Sequence, residues 1–338
     1  MNAATPLRRL APFALSCIVV IAVCPFVGAV PIDVGAALRD FFDPAASLDA
    51  TILVSARLPR VLLAAFSGAA LAAAGAAFQA LLRNPLATPY TLGVASGGAF
   101  GAVLAIKLGL DFAVFGLSGT PLFAFAGALG TVALVYAIAR ARRQLPTTIL
   151  LLAGVSLSFV FSALMLFVHY LADFSESFKM VRWLMGGLDI VGYRPLLGML
   201  PLWLVGVWLL LTRRQDLDQL SFGDYLAHAH GVDVERAQRL SYLAASLLVS
   251  AVVSVAGPIG FVGLVVPHSV RFLIGPSLRL LMPACLFAGA AFLVLCDTAA
   301  RIVIAPSEIP VGVLTALIGG PFFIGLLFRE KRRMSPGD

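Results

Sequence analysis

The sequence predicts an all-α membrane protein, and three observations carry that reading. Of 338 residues, 60% are hydrophobic and 12% charged, where an ordinary soluble domain carries about 25% charge. So little charge cannot cover a water-facing surface, so lipid must be the solvent for most of the chain. The mean hydropathy is +0.99. The apolar residues also come in long Ala, Leu, Val and Gly runs, which favour helices over the alternating strands of a barrel.

A hydrocarbon core takes about 20 apolar residues per helix. Candidate spans lie near 10–31, 57–82, 89–108, 119–139, 147–170, 194–212, 239–256, 259–274, 280–299 and 310–328, ten in all. The first follows Arg8 and Arg9, as a signal peptide would. Its apolar core is longer than a typical signal core and nothing soluble follows it, so it is read as a span. The run at 259–274 is short and interrupted.

Between the second and third runs stands "FQALLRNPLATPYTLG", residues 78–93. Pro85 and Pro89 lack backbone donors and disfavour helix at Asn84 and Thr88. The chain should therefore break here, either as a tight turn capped by Asn84 or Thr88 or as a constriction on a transport path. The small residues of "LGVASGGAFGA", 92–102, allow close helix packing. The longest hydrophilic stretch, 213–239, reads as a solvated linker or as a short helix docking on a partner.

The four cysteines (Cys17, Cys24, Cys285, Cys296) lie inside apolar runs without C-x-x-C spacing and read as packing residues. His169 and Tyr170 sit near the end of the fifth run, and His268 follows Pro267. Haem or metal ligation by His169 is conceivable, although isolated histidines in a membrane protein more often pack or sit at the interface, so no metal site is assigned. No G-x-x-x-x-G-K-[ST] motif is present, so any ATP-driven work needs another subunit. H-E-x-x-H, paired carboxylates and G-x-S-x-G are absent as well, which leaves a membrane enzyme without a catalytic constellation.

The basic balance, 24 Lys and Arg against 17 Asp and Glu, could suggest nucleic acid. In a membrane protein it more often reports orientation. With a cytoplasmic N-terminus and alternating spans, 16 of the 24 basic residues fall inside, among them Arg83, Arg213 and Arg271. Eight fall outside, including Arg57, Arg60 and Arg301. The excess predicts both termini inside and an even number of spans.

The two halves carry an echo. Residues 57–93 placed over 239–275 without gaps share eight identities in 37 positions. Gly75 meets Gly257, Pro85 meets Pro267 and Gly93 meets Gly275. These residue types dictate backbone geometry. With five spans per half, the second copy enters from the other side, which predicts an inverted five-plus-five repeat of the kind common in transporters.

The segment 57–102 resembles the leading signature of the FecCD-type permeases, the membrane subunits of ABC importers for iron–siderophore complexes, haem and vitamin B12. The match continues in "LLLAGVSLS" (150–158), "RWLMGGL" (182–188), "VAGPIGFVGLVVPHSVRFLIGP" (255–276), "LCDTAAR" (295–301) and "EIPVGVLTALIGGPFFIGLL" (308–327). The resemblance implies one permease domain over 1–338 in a bacterial inner membrane, paired as a homodimer of ten-helix subunits within membrane lipid. Two ATPases using ATP and Mg would sit below it and a periplasmic binding protein above; no cofactor would bind this chain itself. Arg57, Arg60 and Arg301 would form outward-facing basic patches for that binding protein, their charge steering its docking. The cytoplasmic coupling loop would be 213–239, around Ala227, Ala229, His230 and Gly231, with His230 standing where many members have Leu. Asn84, Leu86 and Thr147 would form the cytoplasmic gate, and Ser156 and Ser158 would line the path.

The cargo is favoured as an iron complex, haem or ferric siderophore, with cobalamin as the alternative in the same family. An ion-coupled secondary transporter would want carboxylates within the membrane, and Asp297 comes closest.

Overall fold

A computed structural model describes residues 4–110, 113–114, 117–140 and 147–334, and among them fourteen α-helices. In chain order these are α1 (Ala4–Val23), α2 (Val34–Arg39), α3 (Leu48–Thr51), α4 (Leu58–Leu81), α5 (Val94–Lys107), α6 (Gly119–Arg140) and α7 (Thr147–Tyr170). Then come α8 (Phe174–Leu184), α9 (Arg194–Leu220), α10 (Asp224–Ala229), α11 (Val234–Ala256), α12 (Val262–Ile274), α13 (Leu278–Ile302) and α14 (Val311–Met334). Two-residue strands at Ala113–Val114 and Leu117–Ser118 pair antiparallel before α6.

Each of the ten predicted runs overlaps one helix. Seven helical stretches are long and apolar enough to cross a membrane. The apolar helices Val94–Lys107, Val262–Ile274 and Val311–Leu326 are shorter. The second span is longer than its predicted 57–82. A π-helical stretch, Ile52–Arg57, joins α3 to α4 and makes one helix of 34 residues, Leu48–Leu81. This is the central helix of the bundle, packed by α9, α11, α12 and α13.

Small residues let those helices approach backbone to backbone. A methyl built on Gly68 would stand 2.1 Å from the carbonyl oxygen of Gly289 in α13. One built on Gly101 would stand 2.1 Å from that of Phe123, so the glycine-rich start of α5 lies flush on α6.

Of the two readings of 213–239, a linker or a short helix, the structure has the short helix, α10, between the ends of two long ones. Helix α9 continues through Arg213 to Leu220, α10 follows within three residues, and α11 has begun by Val234. The hydropathy falls at Arg213 but the helix goes on, because Asp218 has a partner there. Its carboxylate accepts from Leu278 N (2.7 Å) and Ser277 Oγ (3.1 Å), capping the start of α13.

Helices α4 and α11 run antiparallel. The Phe78 ring, near the close of α4, meets the Tyr242 ring in the first half of α11, with centroids 6.1 Å apart. The close of α11 lies beside Trp183 and Gly186, near Asp189, which pairs with Arg60 at the start of α4. The two poles of the molecule can be named by residue, an Arg60 end and an Arg83 end. Helix α5 starts partway along the bundle, with Gly93 against Gly154 and Ser158 of α7. It runs to the Arg60 end, where Lys107 pairs with Glu176. Helix α12 also starts partway, with Gly263 against Leu71 and Gly75. It runs the other way, bringing Arg271 Nη2 to Gln79 Oε1 at 2.9 Å.

The gapless echo of the sequence does not pair α5 with α12. Gly75 lies inside α4, where the Gly263 backbone packs on it, whereas Gly257 ends α11 with φ +66. Pro85 sits in the turn after α4, whereas Pro267 is inside α12. The gapless alignment therefore matched like residues in unlike jobs. Helices α5 and α12 each start from a left-handed residue, Gly93 (φ 75) and Phe261 (φ 65). Phe261 holds a conformation that disfavours side chains, with its ring packed where Gly319 leaves room.

Candidate functional site

At the Arg60 end, Asp297 of α13 is fully buried between two guanidinium groups. Arg60 Nη2 approaches Asp297 Oδ1 at 2.9 Å, and Arg301 Nε approaches Oδ2 at 3.2 Å. Arg60 Nη1 also reaches Asp189 Oδ1 (2.9 Å) and Glu308 Oε2 (2.8 Å), both on surface loops. Arg182 Nη2 adds to the rim, 3.3 Å from Asp189 Oδ2. Arg301 Nη1 donates to Val27 O (3.0 Å) and Nη2 to Thr298 Oγ1 (3.1 Å). Arg57 donates to the carbonyl oxygens of Pro25 (3.2 Å) and Val30.

This corrects the expectation of outward-facing patches. Arg57 and Arg301 are 7% and 5% exposed and tie the 25–30 segment to the bundle. Arg60 alone among the three reaches the surface, and it already holds three carboxylates. No local pattern announced the pairing, because Asp297 stands 237 residues from Arg60. With both oxygens occupied by guanidinium groups, Asp297 is also a poor ion-coupling site.

A second clamp at this end joins α5 to α8. Lys107 Nζ approaches Glu176 Oε2 at 2.8 Å, and Glu176 closes a capping box with Asp173. Those hydrogen bonds, the one from Lys107 first, hold the Glu176 carboxyl below its ordinary range.

At the Arg83 end, the 82–88 segment is a tight turn. Leu86 N donates to Asn84 Oδ1 (2.9 Å), and Ala87 N donates to Asn84 O (3.0 Å). Thr88 caps the short 3-10 stretch Pro89–Leu92 through a reciprocal pair with Thr91. Leu86 is exposed at the tip. Thr147, the third expected gate residue, opens α7, and its side chain lies outside the described residues. The structure thus brings Asn84 and Leu86 together and leaves their relation to Thr147 undescribed.

Beside the turn lies α10. Ala227 is buried on its inner face, while Ala229, His230 and Gly231 are exposed at its close. His230 Nδ1 lies 2.8 Å from Leu226 O, and Gly231 turns the chain with φ 82. The outward apolar side chains are others, Phe222 (68% exposed), Tyr225 (86%) and Leu226 (47%). Sequence reasoning missed them. The signal was three large apolar residues within a hydrophilic stretch too short to span lipid.

Helix α7 exposes most of its length, including Leu152, Phe159, Leu166 and Phe167. Ser156 lies on this exposed face. Ser158 turns back, its Oγ donating to Gly154 O at 2.9 Å. His169 is half-buried near the helix end. Among the described residues, no group of three or more His, Cys, Asp or Glu stands together as a metal site.

Long apolar helices around a central one, with two short helices starting inside the bundle and running to opposite poles, define an integral membrane permease. The chain belongs to the FecCD transport family, whose model matches residues 16–329, and is the permease of an ABC importer of that family. As a permease it is the non-catalytic component. It is 44% identical over 284 residues to the cobalamin import system permease BtuC of Halobacterium salinarum, covering 84% of this chain and 75% of that one. It is 41% identical over 283 residues to the uncharacterised ABC transporter permease YvrB of Bacillus subtilis, covering 83% and 80%. The hemin transport permease HmuU of Yersinia pestis is 38% identical over 287 residues, covering 84% and 85%. Among solved structures, one described as an inward-facing metal-chelate type ABC transporter superposes with a TM-score of 0.82 at 31% identity, covering 96% of this chain and 99% of that one.

Proposed function

We propose that this permease imports a metal chelate across a bacterial inner membrane as a homodimer of ten-span subunits, with both termini cytoplasmic. The observation that carries the reading is the match of the family over nearly the whole chain, joined to the opposed short helices α5 and α12. A binding protein delivers the chelate at the Arg60 end. Two ATPases, which hold ATP and Mg, meet the Arg83 end through Phe222, Tyr225 and Leu226. Two copies of α7 face each other across the path, which gives an occupant to the exposed face that carries Ser156. Nucleotide-driven movement of α10 then opens and closes the Asn84–Leu86 turn.

The path carries no fixed charge among the described residues of α7 between Thr148 and Val168. That suits a conduit that must release its cargo, because tight binding in a pore slows exit. Selectivity then belongs mainly to the binding protein.

For the cargo, the cobalamin permease shares 44% identity with this chain and the hemin permease 38%. The first supports cobalamin; the second supports the iron complex expected from the sequence. Proteoliposomes containing the permease, its ATPase and its binding protein, offered cyanocobalamin, haemin and a ferric hydroxamate, separate the two. Uptake of one of them that requires ATP is the expected result. ATP-independent uptake driven by an ion gradient would overturn the reading in favour of a secondary transporter.

A further inference from the structure

Arg83 stands where helices usually place glycine. It follows the close of α4 in the left-handed conformation, with φ 49. Its N–H donates to Ala80 O (3.2 Å), and Asn84 N donates to Gln79 O (3.1 Å). These paired bonds form a Schellman motif with arginine at the left-handed position, a conformation that a Cβ disfavours. The side chain gives this choice a purpose. Arg83 Nη2 lies 3.2 Å from Asp224 Oδ2, at the first turn of α10. The other oxygen of Asp224 accepts from Gln238 Nε2 of α11, also at 3.2 Å. One carboxylate is thus shared by the turn after α4 and by α11.

Stability does not explain the pair. Arg83 and Asp224 are each more than a third exposed, and exposed ion pairs contribute little, so glycine would serve the turn better. Position explains it. Among the described residues, the Arg83–Asp224 pair is the one hydrogen bond or ion pair that leads from residues 82–88 to an element other than the adjoining α4 and Pro89–Leu92. The remaining bonds of the turn close within residues 78–91. The face of α10 next to Asp224 presents Tyr225 and Leu226 outward.

We propose that Arg83 and Asp224 are positioning residues that relay movement of α10 to the Asn84–Leu86 turn, with Gln238 holding Asp224 in register. The relay rests on the reading that α10 meets an ATPase.

The test uses the permease co-expressed with its ATPase in inverted membrane vesicles, with Leu86→Cys as the probe. The four native cysteines are buried, so N-ethylmaleimide labelling reports position 86. The labelling rate is measured without nucleotide and after trapping with ATP and vanadate. In the Leu86→Cys background the two rates should differ. Adding Arg83→Gly or Asp224→Asn should collapse their ratio towards one, while Arg83→Lys should keep it. The melting temperature of the Arg83→Gly permease should stay level or rise, which separates lost relay from lost folding. An unchanged ratio in Arg83→Gly would overturn the relay, and so would a single rate in the Leu86→Cys background with the ATPase bound. If no ATPase co-purifies with the Leu86→Cys background, the proposed function itself fails and takes the relay with it.

Discussion

Gly75 and Gly263 meet with no side chain between them. A methyl built on Gly75 would stand 1.9 Å from the carbonyl oxygen of Gly263. This contact, with Gln79 Nε2 donating to the same oxygen at 3.3 Å, sets the depth at which α12 starts. Gly75→Val should force the two helices apart and destabilise the permease by about 1–3 kcal/mol, the usual range for overpacking. Gly130→Ala, with nothing within 4 Å of the new methyl, should leave the melting temperature in detergent nearly unchanged. Equal effects from both substitutions would contradict this account.

Asp297 is the buried counter-charge that Arg60 and Arg301 share. Asp297→Asn leaves both guanidinium groups without their shared buried counter-charge, and breaking a buried pair costs roughly 3–5 kcal/mol. Thermal unfolding of the purified permease should show a large loss. A variant as stable as the wild type would mean that Asp189 and Glu308 suffice for Arg60.

On the proposed docking at Arg60, carboxylates of the binding protein would compete with Asp189 and Glu308, which the permease already supplies. Removing that competition with Asp189→Asn and Glu308→Gln together should tighten docking by about two- to five-fold, in keeping with exposed pairs worth up to about 1 kcal/mol. Arg60→Met should weaken it. Binding of the cognate binding protein to immobilised permease measures both, and weaker docking of the double variant would count against Arg60 as the contact.

The apolar face of α10 is available without disturbing the core. Tyr225→Ser with Leu226→Ser should reduce ATPase co-purification by about thirty-fold, as loss of a hot spot worth roughly 2 kcal/mol does. The melting temperature should hold, since both side chains are exposed. Undiminished co-purification would place the ATPase contact elsewhere. The purified permease alone should hydrolyse no ATP, and robust hydrolysis would refute its role as the non-catalytic subunit.

Hydropathy made the helices legible, because a span must carry its apolar residues in one stretch. It also marked 259–274 as short, and the structure gives the reason: α12 starts partway through the bundle and needs fewer residues. Three features escaped. The continuation of α9 past Arg213 depends on Asp218 capping a helix some sixty positions later. The partner of Arg60 lies on α13, and no local pattern links a cation to a carboxylate that distant in the chain. The gapless echo matched Gly and Pro residues that do different jobs, Gly75 inside α4 against Gly257 at the end of α11, because such identities mark geometry only when the local structure agrees.

The long helix Leu48–Leu81 has a consequence of its own. Arg60 and Leu81 lie on one stiff rod, about 32 Å apart at 1.5 Å per residue. Such a rod needs no chain of side-chain rearrangements to carry a signal between the two faces of the membrane. A tilt of about 5° around its Arg60 end would swing the far tip by about 3 Å, by the same helix dimensions. Under the proposed function, engagement at one face and opening at the other would be two ends of a single lever stroke.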